Sequence, residues 1–307
     1  MFLELRNTDI GYSTPLIKGG NASLNLGEVC LLIGNNGVGK TTLIKSILNQ
    51  IPILDGEVWL KGKSVEKFTA KEIAENIAVV FSKSKIPSGY NVLDLISFGK
   101  YIHYPYYFDI NEADKTDVEQ IIETLNLQPF RNRQLSELSD GNLQKALIGR
   151  ALAQNSPVII LDEPTTHLDE ENKITILKLL RNLAEKENKL ILFSSHDWRL
   201  AKEFSDKIWY VKNLAMQSGI AEDILLTNPE LINPQFFDIH ESFVSPKISA
   251  PDFQKELLYS FLQKNFKKDL SSYNFIYQNE IWEISGEKFQ QFANNFADIQ
   301  KIVQNLH

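Results

Sequence analysis

The 307-residue sequence has a single cysteine, Cys30. No disulfide can form within the chain, and a buried structural thiol in a reducing cytoplasm is the expectation. Nor is there a run approaching the roughly 20 apolar residues that a membrane span requires, so membrane association is expected to go through a partner. Met1–Arg6 reads as the start of a strand, without the apolar core of a signal peptide. Basic residues are in deficit, with 32 Lys and Arg against 39 Asp and Glu and a net charge of −7. The chain therefore has no basic field to attract nucleic acid, which is not expected as a partner. Repeats and low-complexity tracts are absent. What remains is an ordinary globular composition, 43% hydrophobic and 23% charged, with room for one large α/β domain and a small second one.

The most informative stretch present is Gly34-Asn35-Asn36-Gly37-Val38-Gly39-Lys40-Thr41-Thr42. It follows the apolar run 28–33, which has buried-strand character, and precedes 43–48, whose apolar spacing is helical. Strand, glycine-rich loop and helix in that order form the context of a phosphate-binding P-loop. Glycines let successive backbone N–H groups turn inward around phosphates, and the helix N-terminus adds partial positive charge. Lys40 is placed to reach the β- and γ-phosphates of a nucleotide, and the Thr41 hydroxyl to help hold Mg²⁺.

Residues 2–6 and 22–33 read as strands around a turn at Gly11–Pro15. Tyr12 in that turn is either an exposed aromatic able to lie against an adenine ring or a half-buried turn tyrosine. A strand is expected near 57–60 and another at Ile77–Phe81. From about 82 to 153 the chain reads as a helical insert. Pro87-Ser88-Gly89 breaks the chain, a helix is expected over 91–100, and the aromatic stretch Tyr101–Phe108 is either local core or a docking face. Asn111 is placed to cap an amphipathic helix over 111–127, with Glu112 and Asp114 in its first turn.

At Leu138-Ser139-Asp140-Gly141-Asn142 a polar turn opens a further helix, a second candidate anion site. The buried strand Val158–Leu161 ends in Asp162 and Glu163, at the strand edge where an α/β sheet presents ligand chemistry. Asp162 fits a Mg²⁺-holding carboxylate, and Glu163 a general base on the attacking water. The strand 189–193 ends in Ser194-Ser195-His196-Asp197, which puts His196 on the same edge.

Together these residues resemble the ATP-binding-cassette (ABC) ATPases over about residues 1–225. Gly34–Thr42 match that family's Walker A, Leu138–Asn142 its signature loop, Val158–Glu163 its Walker B and Thr166–Asp169 its D-loop. His196 matches its switch histidine, and Tyr12 falls at its adenine-stacking aromatic. The resemblance implies a P-loop α/β fold with a helical subdomain, Mg²⁺-dependent ATP hydrolysis, and ATP sandwiched between two copies of the chain. One copy supplies the P-loop, Asp162, Glu163 and His196; the other supplies Ser139 and Gly141 of the signature. It also implies transmembrane permease subunits as partners and a peripheral position on the inner face of the cell membrane. Phe98–His103 and Asp162–Asp169 are similar to the branch that energises importers of iron-siderophore, haem or cobalamin. Ile102 stands where that branch has proline, Ser82 where the family has its Q-loop glutamine, which touches Mg²⁺ and the attacking water, and Asn142 where the signature ends in glutamine. Hydrolysis is expected to survive the Ser82 and Asn142 changes, which leave Lys40, Asp162, Glu163 and His196 intact, and its coupling to transport to be affected. The alternatives are a soluble ABC ATPase that moves no cargo, as in cofactor assembly, and a cassette that binds ATP and dimerises but hydrolyses weakly because of Ser82.

Beyond about residue 226 the family pattern fades. Residues 227–252 read as a linker and 253–307 as a small α-β-β-α module. Phe253, Leu257, Leu258, Phe261 and Leu262 mark its first helix. Residues 273–277 and 281–284 read as strands, and Phe289, Phe292, Phe296, Ile299 and Val303 recur at helical spacing. The module is either a packing cap or a device for dimer stabilisation or regulation.

Overall fold

The structure is a computed structural model that describes residues 1–82, 89–104, 110–166, 168–196, 199–228, 231, 243–287 and 289–305, with the backbone alone at 199, 201 and 202. The expected chain break at Pro87-Ser88, the aromatic residues 105–108, His167 of the D-loop match, Asp197 and half of the expected linker lie outside the described residues. The chain divides into two compact units, Met1–Ile232 and Asn233–His307.

The first unit is built around strand β3 (Val29–Ile33), whose five residues are all buried. Before it, β1 (Leu3–Gly11) and β2 (Pro15–Leu24) form an antiparallel hairpin, joined by β4 (Asp55–Leu60) and β5 (Lys63–Ser64) in a sheet of order β2-β1-β4-β5. β1 runs longer than the expected strand 2–6, and the expected strand 22–33 divides into the end of β2, a turn at 25–28 and β3. Register shifts between Leu5 and Gly11 break the period-2 alternation that would have marked β1. The second sheet adds β6 (Ile77–Val80), β7 (Val158–Asp162), β8 (Leu190–Ser195), β9 (Lys207–Lys212) and β10 (Ala215–Ile220) in the order β10-β9-β3-β8-β7-β6. All its pairings are parallel except that of β9 with β10. A parallel sheet covered on both faces needs strands apolar throughout, which is why 29–33 and 158–161 read as continuous runs. The two faces are nevertheless distinct. Val29, Leu31 and Ile33 point into one core with the helical subdomain, and Cys30 and Leu32 into another with the first sheet.

Helix α1 (Lys40–Ile47) follows the P-loop, and α2 (Ala70–Asn76) leads into β6. The helical insert contains α3 (Val92–Ser97), α4 (Glu112–Thr124) and α5 (Asp140–Ala153), which bury Leu95, Ile96, Val118, Ile122, Leu147 and Ile148 in one core. Asn111 caps α4 as expected, accepting from the Asp114 N–H at 2.8 Å. The helix expected over 91–100 is shorter than read, because after Ser97 the chain passes into a 3₁₀ turn at Lys100–His103. Lys100 is buried there, 3.1 Å from Asp114 and paired also with Asp117. After β7 come α6 (Glu170–Glu187), α7 (Arg199–Phe204) and α8 (Ala221–Thr227). No helix among the described residues is long and apolar enough to cross a membrane.

The second unit is a four-stranded sheet, β11 (Lys247–Ser249), β12 (Asn274–Gln278), β13 (Ile281–Gly286) and β14 (Phe289–Ala293), with helices α9 (Asp252–Asn265) and α10 (Phe296–Gln304). This corrects the expected α-β-β-α order. Phe289 and Phe292 belong to a strand that pairs antiparallel with β13, opposite Gly286 and Glu283. The helix begins only at Phe296, where Asn295 caps it by accepting from the Asp298 N–H at 2.9 Å. Spacings of three and four between aromatics imitate a helix, but the side chain of Phe292 is exposed. Phe275, Leu258, Leu262, Ile284, Ile299 and Val303 form the unit's own core, each 0% exposed. Phe275→Ala is expected to destabilise this unit by about 3–5 kcal/mol, read as an earlier unfolding transition with the transition of the first unit unmoved.

Candidate active site

The parallel register brings four loops to one sheet edge. Ile33 of β3 stands opposite Ser195 of β8, Ser194 opposite Asp162 of β7, and Leu161 opposite Val80 of β6. The P-loop, His196, Glu163 and Ser82 therefore all leave the sheet at the carboxyl ends of adjacent strands.

Two P-loop glycines are required by close approach. A Cβ on Gly34 would lie 2.6 Å from the carbonyl oxygen of Val211, and one on Gly39, whose φ is +110°, 3.0 Å from Leu16 Cβ. Gly39 is also the N-cap of α1 and offers no side chain to its first N–H groups. These donors are left for a ligand anion. Asn35, Asn36 and Gly37 are exposed, Val38 is half-buried, and Thr42 is buried under the loop.

Lys40 is 6% exposed, and its ammonium donates to the carbonyl oxygens of Gly34 at 2.7 Å and Asn35 at 3.3 Å. Glu163 Oε1 lies 3.8 Å from Lys40 Nζ and 3.9 Å from His196 Nδ1, so the carboxylate sits between the two. Burial pushes the Lys40 ammonium below its ordinary pKa, and the carboxylates of Glu163 and Asp162 oppose that shift.

Thr41 Oγ1 donates to Asp162 Oδ2 at 2.7 Å, and Ser194 Oγ donates to Asp162 Oδ1 at 2.6 Å. Thr41 and Asp162 thus converge as a hydroxyl and a carboxylate, both hard oxygen donors. That set fits Mg²⁺, which keeps several waters and takes its remaining ligands from substrate phosphates.

The other expected positions fall into two classes. Tyr12 is 61% exposed at the hairpin tip, not half-buried, and Leu16, at the start of β2, is the residue that a Cβ on Gly39 would meet. The hairpin tip therefore stands beside the P-loop. Ser82 is half-buried just beyond β6. Ser139 caps α5, accepting from the Asn142 N–H at 3.4 Å, with Asp140 exposed and Gly141 half-buried beside it. Helix α5, which this turn opens, packs with α3, α4 and β6, so the signature loop is carried by the helical subdomain. Asp169 accepts from the Asn172 N–H at 2.8 Å and starts α6. Ser194, for which the sequence predicts no role, is a polar residue at 0% exposure in β8 and stands out only in the structure.

The family model for ABC transporters matches residues 17–166. The iron(3+)-hydroxamate import ATP-binding protein FhuC of Bacillus subtilis is 31% identical over 251 residues, covering 81% of this chain and 93% of that protein. Among solved structures, an inward-facing ABC transporter of the metal-chelate type aligns with a TM-score of 0.66 at 26% identity, covering 76% of this chain and 89% of its own. A bacterial ABC transporter cassette solved as a dimer aligns with a TM-score of 0.64 at 24% identity, covering 71% and 98%.

Proposed function

Because the chain belongs to the family of ABC transporter ATP-binding proteins, we propose that it hydrolyses ATP at the Lys40–Asp162–Glu163 edge to drive a membrane importer of ferric siderophores. The observation that carries the chemistry is the convergence of Thr41, Asp162, Lys40, Glu163 and His196 at one sheet edge. The import direction and cargo class rest on the relative named for ferric hydroxamate import. Of the substrates implied by the sequence resemblance, the siderophore class has that support, while haem and cobalamin do not.

In this mechanism the P-loop N–H groups and the start of α1 bind the triphosphate, and Tyr12 stacks on the adenine. Lys40 exchanges the Gly34 and Asn35 carbonyls for β- and γ-phosphate oxygens. Mg²⁺ bound with the nucleotide at Thr41 and Asp162 supplies neutralising charge to those oxygens. Glu163 orients a water in line with the γ-phosphorus and takes its proton, and His196 donates to the γ-phosphoryl oxygens as charge moves to the leaving group. Ser139, Asp140 and Gly141 complete this from a second copy, as the family resemblance implies. The helical subdomain carries the closing motion to permease subunits.

The test is co-expression with a candidate permease, reconstitution in proteoliposomes and ATP-dependent uptake of radiolabelled ferric hydroxamate. ATP hydrolysis without co-purification or uptake would favour a soluble cassette that moves no cargo.

Ser82→Gln restores an amide at the edge beside Asp162. One added hydrogen bond of about 1 kcal/mol is expected to raise transport-coupled turnover roughly fivefold. Unchanged rates of both hydrolysis and uptake would mean that Ser82 suffices.

A further inference from the structure

Ser194 is fully buried in β8, between β3 and β7. Its one hydroxyl makes two bonds to consecutive residues of the neighbouring strand end. It donates to Asp162 Oδ1 at 2.6 Å and accepts from the Glu163 N–H at 2.9 Å. With Thr41 on Oδ2, the Asp162 carboxylate is held by a hydroxyl on each oxygen, which fixes its plane.

The second bond falls where the backbone is strained. Glu163 has φ +53°, in the left-handed region that a residue with a Cβ seldom adopts. Were β7 to continue as a strand, the Glu163 side chain would leave on the face opposite Asp162. The left-handed turn instead brings its carboxylate to 3.8 Å from Lys40 and 3.9 Å from His196. The carbonyl of Glu163 is engaged on the other side, accepting from Thr166 Oγ1 at 3.3 Å.

We propose that Ser194 is a positioning residue for the hydrolytic step, its hydroxyl setting the Asp162 carboxylate and holding Glu163 in the turn that aims it at the γ-phosphate. The proposal rests on the ATPase reading above. A serine suits the task because one hydroxyl donates and accepts at once. Alanine loses both bonds, valine loses both while adding volume, and threonine keeps both at valine's volume.

The experiment uses the full-length chain as wild type, Ser194→Ala, Ser194→Val, Ser194→Thr and Glu163→Gln. Steady-state Mg-ATP turnover is measured alongside the affinity for a fluorescent ATP analogue, with Mg²⁺ and with EDTA, and the thermal midpoint. Losing two buried hydrogen bonds should lower kcat of Ser194→Ala by about 10–100-fold with KM within about threefold. The gain in nucleotide affinity on adding Mg²⁺ should shrink, while affinity in EDTA stays at the wild-type value. Ser194→Thr should exceed Ser194→Val in turnover by at least about tenfold at matched volume. Equal turnover for threonine and valine, or wild-type kcat and Mg²⁺ response in the alanine variant, would overturn the proposal. A wild-type chain that releases no phosphate would overturn the ATPase reading. In that event a wild-type Mg²⁺ response in Ser194→Ala would overturn the placement of Asp162, and a diminished one would support it.

Discussion

Lys40→Ala is expected to weaken nucleotide binding by about 100-fold or more, with little change in the thermal midpoint. The Lys40 ammonium is 6% exposed and has two carbonyl oxygens and one carboxylate around it. Burial depresses its pKa, so its charge is only partly compensated until an anion arrives. A triphosphate provides that anion with full charge, and the carbonyls it displaces are weaker partners. Two charge-assisted hydrogen bonds of roughly 1.5–3 kcal/mol each correspond to at least about 100-fold in affinity at 1.4 kcal/mol per tenfold. Titration of a fluorescent ATP analogue measures this directly. An affinity within threefold of wild type would mean that the loop's N–H groups do the binding and that Lys40 merely braces Gly34 and Asn35.

Glu163→Gln is expected to separate binding from chemistry. The amide has the carboxylate's shape and can still hydrogen-bond a water, but it cannot take a proton. A general base contributes about 10²–10⁴-fold, so phosphate release should fall by that factor while ATP affinity is kept or improved. Asp162, Thr41 and Lys40 are untouched, and one negative charge is removed 3.8 Å from Lys40. The signature loop opens α5 in the helical subdomain, and the family resemblance has a second copy supply it to the nucleotide. ATP held without turnover should therefore accumulate a two-copy form, seen as a shift to twice the mass by size exclusion with multi-angle scattering. Turnover equal to wild type would remove Glu163 from the role of base. A variant that binds ATP and stays monomeric would argue against a site completed by a second copy.

The legible parts of this site were those whose chemistry is contiguous in sequence. Gly34–Thr42 carries its strand, its glycines and its helix start within one stretch, and Asp162-Glu163 closes a run apolar enough to be a two-sided strand. The less legible parts depend on pairing. The residue pattern predicts β1 too short because its register slips around Asn7 and Asp9, where the alternation fails, and it runs the end of β2 and β3 together across the turn at 25–28. Strand β14 was read as helix because aromatic spacing alone cannot tell a helix from a strand whose outer residues face solvent. Tyr12 was ambiguous until its 61% exposure removed the half-buried alternative. Ser194 carries no motif of its own, and its interest arises only from what stands across the ladder.

The sequence by itself determined which side chains are candidates for phosphate cradling, metal holding and proton transfer, because each task demands particular side chains on particular short stretches. It also determined the α/β class, through apolar runs that only a covered parallel sheet can bury. Only the tertiary structure decided that Thr41 and Asp162, 121 residues apart, meet at 2.7 Å, that Ser194 bridges two consecutive acidic residues, and that α5, opened by the signature loop, packs with α3, α4 and β6. Those outcomes follow from strand register and the packing of α5, which are summed over many weak contacts distributed along the whole chain. No local stretch encodes such a sum.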